Sequence, residues 1–359
     1  MVKAVNRIVL IGNGFDKAHG LPTGYCDFMN YLVNRVARYE KIDNSRLKKV
    51  IKGREYRDSG GFIGMIHKNG NDDEWLGVKP IKDTNKFKLA VNPNKNSIFF
   101  GSLIRDNDRL GYWSDLEAHY FKLLYEYKNS PKDITLINSE FDHLKELIGE
   151  YLKTEVEDKT GIVDGYDIPN SHSVYDLLKH ETKGFHFEKT YFVTFNYTSK
   201  ILIAYLKRLK EETMDENLSI LPIHIHGDLN DFENPIIFGY GDENSKGYHE
   251  LELLLENNLL KNFKTFQYLR TNKYKEVLGL LEESDNIYVQ LIGHSSGLCD
   301  KALLRTIFQH DNVKHIEATY YKNESKYFEN LYNISRVFDD NTLMREKLIS
   351  LDDTFKVEG

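Results

Sequence analysis

Two histidines one residue apart, an asparagine closing an apolar strand, and two glycine turns are the features of this sequence able to do chemistry. In "LPIHIHGDLN", Ile223 and Ile225 alternate with His224 and His226, and Gly227 follows. Period-two alternation would send both imidazoles to one face of a strand, with His226 at its end. An imidazole titrating near neutrality suits general base work. The pair, with Asp228, also begins a metal set, but neither a CxxC pair nor an HExxH helix accompanies it. The plain structural alternative is a histidine satisfied in a core. "TFNYT" places Asn196, Tyr197 and Thr198 at the carboxyl end of a strand, where open α/β sheets bind ligands.

The glycines come first and last in the chain. Gly12 and Gly14 directly follow the strand "RIVLI", and glycine there lets a backbone approach a phosphate. Lys17 stands where a dehydrogenase fingerprint needs its third glycine, which argues against hydride transfer. Asn13, Phe15 and Asp16 bring an amide, an aromatic face and a carboxylate of the kind that ribose and base recognition use. In "QLIGHSSGLCDKALL", the Gly293 and Ser295 backbone offers contacts to a further part of an extended ligand, with Asp300 near a helix start. Ser295 lacks the GxSxG elbow of a nucleophile. Asp115 and Glu117 of "YWSDLE" are two apart, so they do not share a helical face, and an acidic first turn suits the helix dipole.

These residues need a frame. Continuous apolar runs at Ile8 to Ile11, Tyr191 to Phe195, Ile220 to Ile225, Ile236 to Phe238, Ile287 to Ile292 and Val313 to Ala318 have the character of strands covered on both faces. Between them, helical spacing joins Tyr25, Phe28, Leu32 and Val36; Leu116, Tyr120, Leu123 and Tyr127; Phe141, Leu144, Ile148 and Leu152; and Ile201 to Leu209. The expected class is α/β, a Rossmann-like, mostly parallel sheet flanked by helices. The span between the first strand and "YFVTFNYT" is too long for one crossover, so a large insertion must follow the first strand–helix unit. The expected division is a nucleotide-binding core over 1–45 and 113–335, an insertion over 46–112 acting as lid or small subdomain with β-like pieces such as "SIFFGSL", and a peripheral tail over 336–359.

The chain has 359 residues, is 40% hydrophobic and carries a formal charge of −7. That size permits a sizeable core, and the acidity argues against a broad nucleic-acid footprint. The cluster Arg46, Lys48, Lys49, Lys52, Arg54 and Arg57 fits a solvated helix face. Two cysteines, Cys26 and Cys299, make no disulfide framework or CxxC site, in keeping with a reducing compartment and a role in packing. No apolar run of about 18 residues could span a bilayer, and the N-terminus lacks signal-peptide character, so a cytoplasmic location is expected.

Taken in order, "IVLIGNGFDKAHGLPTGYCDF", "YWSDLE", "VTFNYT", "HIHGDLN" with "IIFGYGD", and "LIGHSSGLCD" resemble the bacteriophage abortive infection AbiH family over residue 7 to about 305. Their order also resembles the sirtuin-like core of NAD-cleaving phage-defence proteins. That resemblance implies that NAD is the substrate rather than a held cofactor, and that the activity is an NAD glycohydrolase; the lack of further ligand spacing around the two histidines separately argues against a metal. It implies that Gly12 and Gly14 cradle the diphosphate, that Asn196, after the Thr194-containing strand, orients the nicotinamide ribose, and that His226 is the general base or a ribose contact. Ser295 and Asp300 would hold the adenosine side. Asn13 and Thr198 depart from the sirtuin pattern, which has Ala and Asp there, and the absence of a four-cysteine zinc module removes protein deacetylation. Such an enzyme would be repressed at rest and released by a phage component or by assembly into a homo-oligomer. The rival readings are a metal-dependent nuclease using His224, His226, Asp228 and Asp115, and a noncatalytic nucleotide sensor gating a partner.

Overall fold

The computed structural model describes residues 3–29, 31, 62–64, 76–80, 87–91, 98–106, 110–160, 182, 184–321 and 323–357. The basic cluster at 46–57 and the helical positions Leu32 and Val36 lie outside the described residues. The chain divides into two compact units, Met1–Thr23 with Leu152–Gly359, and Gly24–Tyr151.

The first unit is built on a sheet. Its strands are β1 (Lys3–Ile11), β5 (Phe185–Thr194), β6 (Ile223–His224), β7 (Ile287–Ile292) and β8 (Val313–Ala318), in the order β6-β5-β1-β7-β8 and all parallel. A strand alternates its side chains between faces. Accordingly Ile8 and Leu10 of β1 enter a core with Val277, Leu281, Leu303, Ile307 and Ile334, while Val9 and Ile11 pack with Ile201, Tyr205, Leu206 and Leu209. The helix Lys200–Thr213 thus covers one face, and the helices Lys273–Glu282, Lys301–Phe308 and Glu324–Val337 cover the other. This is the expected Rossmann-like α/β arrangement, with the central strand apolar on both sides.

The strand order fixes where a ligand could lie. From β1 the chain builds outward through β5 and β6, then returns to add β7 and β8 on the opposite side. The direction switches between β1 and β7, and the crevice outside the carboxyl ends at such a point is the usual ligand position. The Gly12 turn leaves β1 there, and the Gly293 turn leaves β7 there.

Two expected strands take other forms. Ile236–Phe238 is irregular: Ile237 and Phe238 are buried, and the Ile237 amide donates to the His226 carbonyl at 2.7 Å, one bond to a turn in place of a ladder. The run at 220–225 shortens to the two residues of β6. The tail is integrated rather than peripheral. A strand β10 (Lys356–Val357) pairs in parallel with β9 (Tyr320–Tyr321), and the buried Lys347 ammonium donates to the carbonyls of Phe308 and His310.

In the second unit, the strands β2 (Phe62–Gly64), β3 (Leu76–Pro80) and β4 (Phe87–Val91) form an antiparallel sheet. The helices Phe99–Asp106, Trp113–Glu126 and Pro131–Tyr151 share an aromatic core in which the Tyr120 and Phe141 rings stack at 3.9 Å. That shared core groups residues 113–151 with the inserted segment, where the sequence had grouped them with the sheet. Most of "SIFFGSL" is helical, a correction with a clear cause: the Glu140 carboxylate accepts the amides of Ile98 and Phe99 at 3.2 and 2.6 Å, capping a helix from 42 residues away.

Candidate functional site

The two glycine turns meet. A Cβ on Gly12 would lie 2.5 Å from the His294 Cα, and one on Gly14 would lie 2.7 Å from the Gly293 Cα, so only glycine permits this approach. The Gly12 amide donates to Ile292 O at 2.9 Å, the Gly14 amide to Gly293 O at 2.8 Å, and the Phe15 amide to Gly12 O at 2.9 Å. These amides are therefore occupied by the protein itself. Asn13 and Thr23 exchange hydrogen bonds, at 3.1 Å to the Thr23 carbonyl and 2.5 Å from its hydroxyl. The Phe15 ring is buried against His19 and Tyr205.

The end of β5 joins the same rim. The Asn196 amide donates to the Thr194 hydroxyl at 3.1 Å, and its carboxamide Nδ2 donates to Gly12 O at 3.2 Å. The Thr198 hydroxyl donates to the Asp16 carboxylate at 2.5 Å. Burial, reinforced by the nearby Glu157 charge, pushes the Asp16 carboxyl up to about 7, against the opposing pull of its hydrogen bonds from Thr198 and Asn196. Among the described residues no cation shifts it.

His224 and His226 do not share a strand face, because β6 ends at His224 and the chain turns there, with Gly227 at φ +99°. His224 faces the Asn196 carbonyl at 3.3 Å and the Asp228 carboxylate at 3.8 Å. His226 faces elsewhere. Its Nε2 lies 3.0 Å from the Tyr268 hydroxyl and 3.3 Å from Asp300 Oδ1. The same carboxylate holds the Lys264 ammonium at 2.7 Å and faces His294 Nε2 at 3.5 Å. The Phe195 ring is 5.0 Å from the His226 ring and 4.1 Å from the His294 ring. Lys264 is 2% exposed and His226 4% exposed.

The electrostatics follow from that packing. Burial first, and then the Lys264 charge, lower His226 to about 4, well below the near-neutral titration expected from the sequence, so its imidazole is neutral at physiological pH. Burial alone would raise Asp300, but Lys264 and the hydrogen bonds from His226 and His294 outweigh it and hold the carboxyl well below its usual range. Burial also lowers His224, opposed by Asp228.

The four segments thus converge at one rim, but their side chains form two groups: Asp16, Thr198 and Asn196 in one, His226, His294, Asp300, Lys264 and Tyr268 in the other. Gly293 and Ser295 lie at the surface, and the Ser295 carbonyl accepts from Asn333 at 2.8 Å. Asp115 caps its own helix through the Gly111 and Tyr112 amides, in the second unit. Of the nuclease set, His224 and His226 face different carboxylates, and among the described residues no three His, Cys, Asp or Glu side chains cluster as a metal site. Sequence reasoning missed Lys264 and Tyr268. Their four-residue separation, which puts both on one side of a helical turn, was the available signal. "IIFGYGD" gains a role here too: a Cβ on Gly241 would lie 2.1 Å from the Cys299 carbonyl, and Ala302 N donates to Gly241 O, seating the turn that carries Asp300.

Comparison with known proteins adds three findings. A stretch of 171 residues is 26% identical to vinckepain-1 of Plasmodium vinckei, covering 46% of this chain and 29% of that protein. The chain spans less than a third of that relative's length, and so partial a likeness carries no argument about activity. No solved structure matches. The pattern described as "Bacteriophage abortive infection AbiH" matches residues 8–322, which includes every segment of the rim, and the chain belongs to that family.

Proposed function

We propose that this abortive infection protein binds NAD at the carboxyl rim of its sheet and cleaves the nicotinamide–ribose bond. One observation carries the reading: a neutral imidazole, His226, hydrogen-bonded to an ionised Asp300, at the same rim as the Asn196 carboxamide. Nicotinamide is a good leaving group, so the site must stabilise an oxocarbenium-like ribose and activate one water. Water adds to the ribose carbon, the carbon–nitrogen bond breaks, nicotinamide leaves with the bonding pair, and the water proton passes to His226. Asn196 contributes fixed dipoles without charge.

The closed rim fits a repressed toxin. His226 is 4% and Asn196 7% exposed, and the Gly12 and Gly14 amides are occupied by the carbonyls of Ile292, at the end of β7, and Gly293, in the turn that follows. Diphosphate binding would require that turn to part from the first. A phage component or self-assembly would drive this step in the cytoplasm, where NAD loss would stall the infected cell.

Purified protein incubated with NAD, with nicotinamide followed by mass spectrometry, tests the reading beside His226→Ala and Asn196→Ala, and cellular NAD is measured through phage challenge. Removing the base should cost about 100 to 10,000-fold in rate. Unchanged cellular NAD beside degraded nucleic acid would replace the proposal with a nuclease, and NAD binding without turnover in either setting would replace it with a sensor.

A further inference from the structure

One carboxylate at the rim is shared by three side chains from different segments. Asp300 Oδ1 meets Lys264 Nζ at 2.7 Å and His226 Nε2 at 3.3 Å, and Oδ2 faces His294 Nε2 at 3.5 Å. Protonation at each imidazole is fixed by its neighbours. His294 Nδ1 accepts the Ser296 amide at 3.0 Å, so it carries no proton, and the ring hydrogen must sit on Nε2. His226 Nε2 lies between the Tyr268 hydroxyl at 3.0 Å, which can donate or accept, and Asp300 Oδ1 at 3.3 Å, which when ionised only accepts, so the tautomer that satisfies both neighbours is Nε2–H, with the Tyr268 oxygen accepting. Among the described residues no group is hydrogen-bonded to His226 Nδ1, which leaves that lone pair as the ring's basic position.

From this geometry we infer that Lys264 and Asp300 are a positioning pair, which locks His226 and His294 together as Nε2–H tautomers and presents the Nδ1 of His226 as the base. Lys264 acts through Asp300: its ammonium keeps the carboxylate ionised, and so keeps it a pure acceptor for both rings. The groups facing His226 are Lys264 and Tyr268 from one segment, Asp300 and His294 from the turns after β7, and the Phe195 and Tyr197 rings after β5. Lys264 is the sole cation among them. The catalytic meaning rests on the function proposed above, but the tautomer lock does not.

Ring-nitrogen NMR on 15N-histidine-labelled full-length protein tests it, with the two signals assigned by His226→Gln and His294→Gln. In wild type at pH 7 both rings should have Nδ1 unprotonated; a His226 ring protonated on Nδ1 would overturn the proposal without any further variant. In Lys264→Met the His226 titration should rise by about one pH unit or more, because a like charge has been removed. Lys264→Arg should restore the wild-type pattern. An unchanged titration in Lys264→Met overturns the pair. A failure of Lys264→Met to fold leaves the wild-type tautomers and the Lys264→Arg pattern to decide. Intact tautomers with cellular NAD unchanged through phage challenge refute the NAD reading alone, whereas turnover with disordered tautomers refutes this one.

Discussion

Two carboxylates at the same rim behave oppositely. Asp16, held by Thr198 and Asn196 near Glu157 and, among the described residues, with no cation to oppose its burial, is pushed up to about 7. Asp300, gripped by Lys264 and two imidazoles, is held well below its ordinary range. Burial raises both, and the difference is the counter-charge. Hydrogen bonds from neutral donors moderate the desolvation of a carboxylate, whereas a fixed ammonium at 2.7 Å reverses its outcome. One rim therefore holds a carboxyl poised to exchange a proton near neutrality and another fixed as an anion.

The largest test of this contrast removes the cation. Lys264→Met takes the counter-charge from a largely desolvated Asp300 and should cost about 3 kcal/mol in urea unfolding at pH 7. A loss below about 1 kcal/mol would mean that the pair is not the organising charge. Gly14→Ala acts on the turn that joins the two groups: its Cβ would meet the Gly293 backbone, and a cost of about 1–3 kcal/mol is expected from overpacking. Thr198→Val removes the donor to Asp16, with an expected loss of about 1 kcal/mol. It should also move the Asp16 titration to higher pH, read from the midpoint of the pH–stability curve.

Asp16→Asn should have the smallest effect in acid and the most informative pH dependence. The folded carboxyl titrates near 7, above its unfolded value, so the native state holds the proton more tightly between those values. The stability that Asp16 contributes is fully present below about pH 4 and is lost as the pH rises through 7. Unfolding free energies of wild type and Asp16→Asn, compared from pH 4 to 7, should coincide in acid and separate progressively as the pH rises to 7, with the variant the more stable there. Parallel curves would remove the contrast between the two carboxylates.

The frame of the site was legible in the residues. Ile8–Ile11 and Ile287–Ile292 are strands because continuous apolar runs bounded by glycine suit strands covered on both faces, and Asn196 lies at a carboxyl end as its place after "VTF" implied. Less legible was which way each side chain turned. His224 and His226 looked like neighbours on one face, but a two-residue β6 ends between them and sends each to a different carboxylate. "SIFFGSL" looked like a strand because two aromatic residues lie in sequence, and the cap that makes it helical comes from Glu140.

The sequence by itself determined the α/β class, the family and the segments that form the rim, because apolar periodicity and glycine position act through neighbours in the chain. The tertiary structure alone decided that Lys264 and His294 join His226 around Asp300, with Tyr268 against the His226 ring, and that among the described residues Asp16 has no such cation. Ion pairing between residues 36 positions apart, and the desolvation that sets each carboxyl, depend on distance through space, which spacing along a chain does not encode.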